Sequence, residues 1–297
     1  MKKQDINIRD PFILNDDGVL YMYGSTDRNI WGGECYTFSA YKTEDLENFE
    51  GPFDVFVRPE DFWANEQYWA PEVHKYNGKY YLFGSFYNKA LGRKSQILVS
   101  DSPLGPFSPF CEPFTPQGWE CLDATLYVEN GVPYSVFCHE WVQIIDGTME
   151  VVQLKKDLSG TEGDPITIFK ASDAPWVKPT SYCGKFDGCI TDGPYLRKLK
   201  NGKLLMIWSS CTDNSQYAVG MAISDSGSIL GEWRHIETPL FDKNGGHACI
   251  FEWKGKLLLS LHMPNIVSLE RPEFFELEET DEGMKVKGLL NLKEASL

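Results

Sequence analysis

Apolar residues fall in short runs of about four to seven, alternating or continuous, separated by turns rich in Gly, Asn and Asp. That is strand patterning, and no long segment of helical period competes with it. Five runs share one layout: an apolar strand, a turn ending in Gly, and a second apolar strand closing on a small polar residue. They read DPFILNDDGVLYMYGS from Asp10, APEVHKYNGKYYLFGS from Ala70, DATLYVENGVPYSVFC from Asp123, DGPYLRKLKNGKLLMIWS from Asp192 and HACIFEWKGKLLLSLH from His247. Gly18, Gly78, Gly131 and Gly255 lie eight residues after the opening residue, and Gly202 ten after Asp192. Each follows Asp, Asn or Lys, as tight hairpins with φ > 0 favour. Seven residues beyond each Gly stands Ser25, Ser85, Cys138, Ser209 or His262.

A third apolar strand with an Asp-containing turn follows four of the hairpins, in TFSAYKTEDLENFEGPF, QILVSDSPLGPFSPF, EVVQLKKDLSG and VGMAISDSGSILGEW; the fifth copy is less regular around RPEFFELEET. A repeat of this length whose sheets cannot bury their faces alone predicts stacked blades. The expectation is an all-β fold, a five-bladed β-propeller of four-stranded antiparallel blades, as one domain over residues 1–297. The Pro-rich stretch 172–184 reads as a loop or lid.

The formal charge of -15 argues against nucleic acid and anionic membrane surfaces as partners, since both need a basic patch. No stretch approaches the roughly 18 apolar residues of a membrane helix. The N-terminal MKKQDINIRDPF carries no apolar run behind its lysines, and the eight cysteines are scattered without a CxxC pair. A cytoplasmic protein with buried thiols is the expectation.

In a propeller the innermost strands line a central channel, so equivalent residues of different blades converge. The opening residues are Asp10, Ala70, Asp123, Asp192 and His247. A ring of acids costs repulsion and desolvation unless it performs chemistry or binds a cation. Glycoside hydrolysis needs such a group: one carboxyl protonated for the leaving oxygen, another ionised to activate water or attack carbon. Glu140, in FCHEW just past the second strand of the third copy, is a further carboxylate for this chemistry. Trp31, Trp69 and Trp141 lie near loop ends, where an aromatic face stacks on a sugar ring.

These motifs resemble glycoside hydrolase family 43, inverting five-bladed propeller enzymes acting on arabinose- and xylose-containing glycans, over residues 8 to 275. RDPFI (9–13) is similar to the motif carrying the family's general base, which implies that role for Asp10. YWAPEV (68–73) is similar to WAPDV, whose aromatic lies beside the sugar, here Trp69. LDATLYVENG (122–131) matches the motif whose Asp tunes and orients the acid, implying Asp123. NGGHACIFEWKG (244–255) is similar to GHxSxF, whose His surrounds a channel ion, often calcium; that implies His247 as a metal-site residue, with no cofactor needed for the chemistry. Arg271, in ERPEFF, resembles a late arginine that contacts substrate hydroxyls or pairs with an acid. The chain departs where the family reads EGP, with Glu as general acid. Here Asp192 opens DGP, so the acid is Asp192 or Glu140. The resemblance implies an oligosaccharide substrate, and a propeller funnel closed by segments 141–150 and 171–190 would take a single terminal sugar, so an exo-acting enzyme is the expectation. The DGP change also leaves room for a non-catalytic carbohydrate-binding propeller, and a galactoside-specific propeller glycosidase is a further alternative.

Overall fold

The computed structural model describes residues 1–292; residues 293–297 of the expected domain lie outside it. Blade 1 comprises β1 (Arg9–Asp16), β2 (Val19–Ser25), β3 (Thr37–Thr43) and β4 (Glu50–Val57). Blade 2 comprises β5 (Glu66–Tyr76), β6 (Lys79–Asn88), β7 (Gly92–Ser100) and β8 (Ser108–Pro109). Blade 3 comprises β9 (Cys121–Glu129), β10 (Val132–His139), β11 (Thr148–Leu154) and β12 (Thr161–Lys170), with a short helix α1 (Trp141–Ile144) between β10 and β11. A small hairpin, β13 (Thr180–Ser181) and β14 (Asp187–Gly188), precedes blade 4. Blade 4 comprises β15 (Asp192–Lys198), β16 (Leu204–Cys211), β17 (Tyr217–Ser224) and β18 (Trp233–His235); blade 5 comprises β19 (Gly246–Trp253), β20 (Lys256–Met263), β21 (Arg271–Thr280) and β22 (Gly283–Leu289). Each blade is a four-stranded antiparallel sheet in simple sequence order, as the repeat predicts.

The hydrophobic core lies between blades. One cluster joins blades 1, 2 and 5 around Tyr23, Phe38, Phe86 and Phe274. Others join blades 2 and 3 around Phe83 and Phe137, blades 3 and 4 around Val136 and Trp208, and blades 4 and 5 around Ile207 and Leu259. Blade faces removed from water in this way supply the main favourable term in folding. Blade 5 keeps all four of its own strands, so side chains close the ring. Arg9 pairs with Glu270 at 2.9 Å, Lys3 with Glu273, and the Ser260 hydroxyl donates to the Pro11 carbonyl at 2.7 Å.

The register explains the repeat and corrects its alignment. In every blade the inner strand carries a bulge: Arg9 pairs with Ser25, Trp69 with Ser85, Leu122 with Cys138, Asp192 with Ser209 and Gly246 with His262, and the pairing then slips. The residue after each of these is left-handed: Asp10 (φ 57°), Ala70 (φ 43°), Asp123 (φ 56°), Gly193 (φ 49°) and His247 (φ 51°). The equivalent of Asp10 in blade 4 is therefore Gly193, and Asp192 stands one residue earlier than the sequence repeat suggests. The longer β15–β16 turn hid that step.

In four of the five blades the polar residue at the end of the second strand ties one blade to the next. The Ala70 N–H donates to Ser25 Oγ, the Asp123 N–H to Ser85 Oγ and the His247 N–H to Ser209 Oγ, each at 2.8 Å. The Asp10 N–H donates to His262 Nδ1 at 3.1 Å and closes the circle. These buried N–H groups lie outside the strand ladders at the bulges and need such acceptors.

Candidate active site

One mouth of the channel opens into a cavity of about 830 Å³ walled by all five blades. Blade 1 contributes Asp10 and Trp31, blade 2 Trp69 and Arg93, blade 3 Asp123, Glu140 and Trp141, blade 4 Asp192 and Tyr217, and blade 5 His247 and Asn265. The bulges bring the acids here, because each left-handed residue turns the inner strand at the same level around the axis.

Asp10 is buried. Its Oδ2 accepts from the Ser25 hydroxyl at 2.6 Å, and its Oδ1 lies 3.2 Å from His247 Nδ1 and 3.5 Å from His262 Nδ1. Burial alone raises its pKa; His247, Arg9, His262 and the Ser25 hydroxyl outweigh that and hold it below the usual carboxylate range. Asp123 faces it across one imidazole, with Oδ2 3.7 Å from the same His247 nitrogen. That oxygen also accepts the Gly193 N–H at 3.0 Å. Burial first, then repulsion from Asp10, pushes Asp123 well above the ordinary range, against the Gly193 N–H and Arg93.

Asp192 accepts from the Tyr217 hydroxyl on Oδ2 at 3.0 Å. Burial and the neighbouring Asp123 push its pKa up to about 7, with His247 and Tyr217 opposing. One cavity thus holds one carboxyl displaced downward, Asp10, and two displaced upward, Asp123 and Asp192, the separation that acid–base chemistry requires.

Glu140 is placed differently. It caps α1 beside the cavity, and its Oε2 accepts from Arg93 Nε at 3.3 Å. Burial raises its pKa, and Glu120 adds to this against the Arg93 charge. The Arg93 guanidinium lies 3.6 Å from the centroid of the Trp69 ring and donates to Gln67. Its stack on the indole is a cation–π contact. Glu140 therefore belongs to a wall of Arg93, Trp69 and Gln67. Trp31 packs edge-on against Trp69 at 5.3 Å, and Trp141 sits edge-on to Tyr182 at 5.6 Å. Trp31, Trp69 and Trp141 all line the cavity, as do residues of α1 and of the 180–188 hairpin segment, the parts expected to close it.

Arg271 is a correction. Its guanidinium donates to the Gln4 and Glu270 carbonyls, each at 2.7 Å. It opens β21, the third strand of its blade, and staples the N-terminal segment instead of reaching the channel. The arginine at the cavity on that side is Arg9, bound to Glu270. Arg9 was legible as the neighbour of Asp10. Arg93 and Tyr217 carried no signal: both lie in ordinary strand patterns, and Arg93 reaches the cavity because β6 and β7 run past the joint, pairing Tyr87 with Arg93.

A calcium ion takes about six to eight oxygens. At His247 the Nδ1 nitrogen is taken up by the two carboxylates. Among the described residues no group of three or more His, Cys, Asp or Glu is arranged to hold a metal.

The description "Glycosyl hydrolases family 43" matches residues 5–265. The xylosidase/arabinosidase 43A of Humicola insolens is 31% identical over 207 residues, 66% of this chain and 57% of that protein. An extracellular exo-alpha-(1->5)-L-arabinofuranosidase of Streptomyces chartreusis is 27% identical over 199 residues, 61% of this chain and 57% of that protein. The chain thus spans little more than half the length of these curated relatives. Among solved structures, an endo-arabinase from Bacteroides thetaiotaomicron is 39% identical with a TM-score of 0.89, covering 95% of this chain and 98% of that one. A thermostable family-43 glycoside hydrolase, 24% identical with a TM-score of 0.80 over 95% of this chain and 93% of that one, shares the fold.

Proposed function

The chain belongs to glycosyl hydrolase family 43, and from that premise we propose that it hydrolyses arabinose- or xylose-containing oligosaccharides with inversion at the anomeric carbon. The observation that carries this reading is the opposite displacement of Asp10 and Asp192 within one cavity. Asp10, ionised, takes a proton from water on one face of the sugar. Asp192, protonated, delivers its proton to the departing oxygen on the other face. Asp123 shares the site: two neighbouring buried carboxyls resist ionising together, which keeps a proton on the Asp123–Asp192 pair, and the Asp123 bond to the Gly193 N–H fixes the backbone beside the acid. Asp192 is preferred to Glu140 because it stands beside Asp123 and Tyr217 at the channel carboxylates, whereas Glu140 is engaged with Arg93 at 3.3 Å in the wall of the cavity. Glu140, Arg93 and Trp69 then bind the sugar.

Trp31, Trp141 and Tyr182 of the segments around the cavity favour removal of terminal sugars, since a polymer lying across the site needs an open cleft. Eight free cysteines, one of them exposed, support a reducing, cytoplasmic setting. The test is a panel of aryl arabinofuranosides, xylosides and galactosides assayed with wild type, Asp192→Asn, Glu140→Gln and Asp10→Asn. Proton NMR of the first-formed anomer reports stereochemistry, and arabino-oligosaccharide digests report whether single sugars are released. If Glu140→Gln loses activity only on poor leaving groups while Asp192→Asn does not, Glu140 is the acid. Sugar binding without turnover by the wild type would instead favour a binding propeller.

A further inference from the structure

Four of the five joints between blades use a hydroxyl or imidazole to accept the N–H of the next left-handed residue. The third does not. The position equivalent to Ser25, Ser85 and Ser209 is Cys138, paired with Leu122 as Ser25 is with Arg9. The Gly193 N–H, the donor of this joint, goes to Asp123 Oδ2 at 3.0 Å. The Cys138 thiol faces the Met149 sulfur at 3.9 Å. A thiol is a weak donor and a weak acceptor, whereas a hydroxyl does both well.

Blade 1 shows what serine does in this place. Ser25 Oγ accepts the Ala70 N–H at 2.8 Å and donates to Asp10, the left-handed residue of its own blade, at 2.6 Å. Asp123 is the left-handed residue of the blade that carries Cys138. A serine at 138 would insert a hydroxyl between the Gly193 N–H and Asp123, reproducing the surroundings of Asp10.

We propose that Cys138 is a positioning residue: by offering no hydroxyl at the third joint, it leaves the Gly193 N–H to the Asp123 carboxylate, which braces the backbone step carrying Asp192. The role of Asp192 in this statement rests on the function proposed above; the hydrogen-bond exchange does not. The step itself admits only glycine, because an added Cβ would stand 2.7 Å from the His247 ring.

The experiment compares wild type, Cys138→Ser, Cys138→Ala and Asp123→Asn, labelled with ¹⁵N-glycine and assayed in parallel. Expected results are a displaced Gly193 amide resonance in C138S and in D123N, and an unmoved one in C138A. In C138S kcat falls about tenfold, the cost of roughly one hydrogen bond, with KM held within about twofold. The conservative exchange is thus the damaging one, which a merely space-filling cysteine would not produce. An amide that ignores C138S, or that moves equally in C138A, overturns the proposal. If C138S does not fold, a Gly193 amide insensitive to D123N overturns it as well. A displaced amide in a protein that cleaves no glycoside supports the joint exchange and refutes the function.

Discussion

Replacing Asp192 by Asn is expected to disable the protein at every pH and to stabilise its fold increasingly as pH rises from about 4 to 7. The side chain keeps some exposure to the cavity, yet burial, and after it Asp123, raises its pKa from 3.8 to about 7. A carboxyl whose folded pKa exceeds its unfolded value favours folding at low pH, and that contribution is lost as pH rises through the folded value. The window here runs from about pH 4 to pH 7. Three units at about 1.4 kcal/mol each give up to about 4 kcal/mol of instability in the wild type above pH 7, a large share of the roughly 5–15 kcal/mol typical of a domain. Asn carries no such cost, so D192N gains on the wild type by about that amount at pH 8.5 and by little at pH 4. Urea unfolding of both proteins at the two pH values measures the difference from midpoints at a common slope. If the gap between the two proteins is the same at pH 4 and pH 8.5, Asp192 is not a carboxyl held protonated by its surroundings, and its assignment as acid loses its physical basis.

The same shift predicts that kcat/KM on poor leaving groups falls above about pH 7, as Asp192 gives up its proton, while substrates with good leaving groups keep most of their rate; initial rates across pH 5–9 check this. Asp10→Asn is expected to lower kcat by at least about a thousandfold with sugar binding retained by calorimetry, and near-normal turnover would remove Asp10 as the base. Gly193→Ala is expected to cost roughly 2 kcal/mol from overpacking against His247 and to lower kcat as that ring is displaced, read from thermal melts and steady-state rates. His262, driven down to about 3 chiefly by burial and then by Arg9, stays neutral while the unfolded chain protonates. Folding stability should therefore fall as pH drops from about 6.5 toward 3, by up to about 5 kcal/mol, and His262→Asn should flatten that slope in urea titrations.

Why the blades were legible and the acid's register was not follows from what each feature contributes to the pattern. Strand alternation and hairpin glycines are local, so five copies of one layout suffice to read the architecture. The recurring Ser25, Ser85 and Ser209 were visible as a pattern, but their task is to accept an N–H from the following blade, a contact about forty residues away. Convergence of Asp10, Asp123 and His247 could be inferred from the repeat because they occupy one bulge position. Arg271 failed for the complementary reason: its motif lies on an outer strand, where position in the repeat says nothing about the channel. Arg93 and Tyr217 became site residues through the height of a hairpin and the lean of a side chain, neither of which leaves a mark on sequence periodicity.

The departure from EGP to DGP can be weighed in the same terms. An aspartate reaches one methylene less far than a glutamate, so Asp192 must begin closer to the reacting oxygen or be held more firmly. The structure provides the second. Its carboxyl is tied by the Tyr217 hydroxyl, the next residue is pinned through its N–H to Asp123, and the missing side chain of Gly193 lets the His247 ring close on that backbone. Tyr217 is itself held, stacked on His262 with ring centroids 5.7 Å apart, and His262 is the imidazole that closes the ring of joints on Asp10. Asp192 and Asp10 are thus braced by one connected set of contacts running from blade 3 through blades 4 and 5 to blade 1. A short carboxyl in a rigid frame loses less to misplacement than a long one in a loose frame, because rate falls steeply with each fraction of an ångström. Tyr217→Phe is therefore expected to cost an aspartate-based site about tenfold in kcat with KM little changed; an unaltered kcat would mean that the frame, however rigid, is not what compensates for the missing methylene.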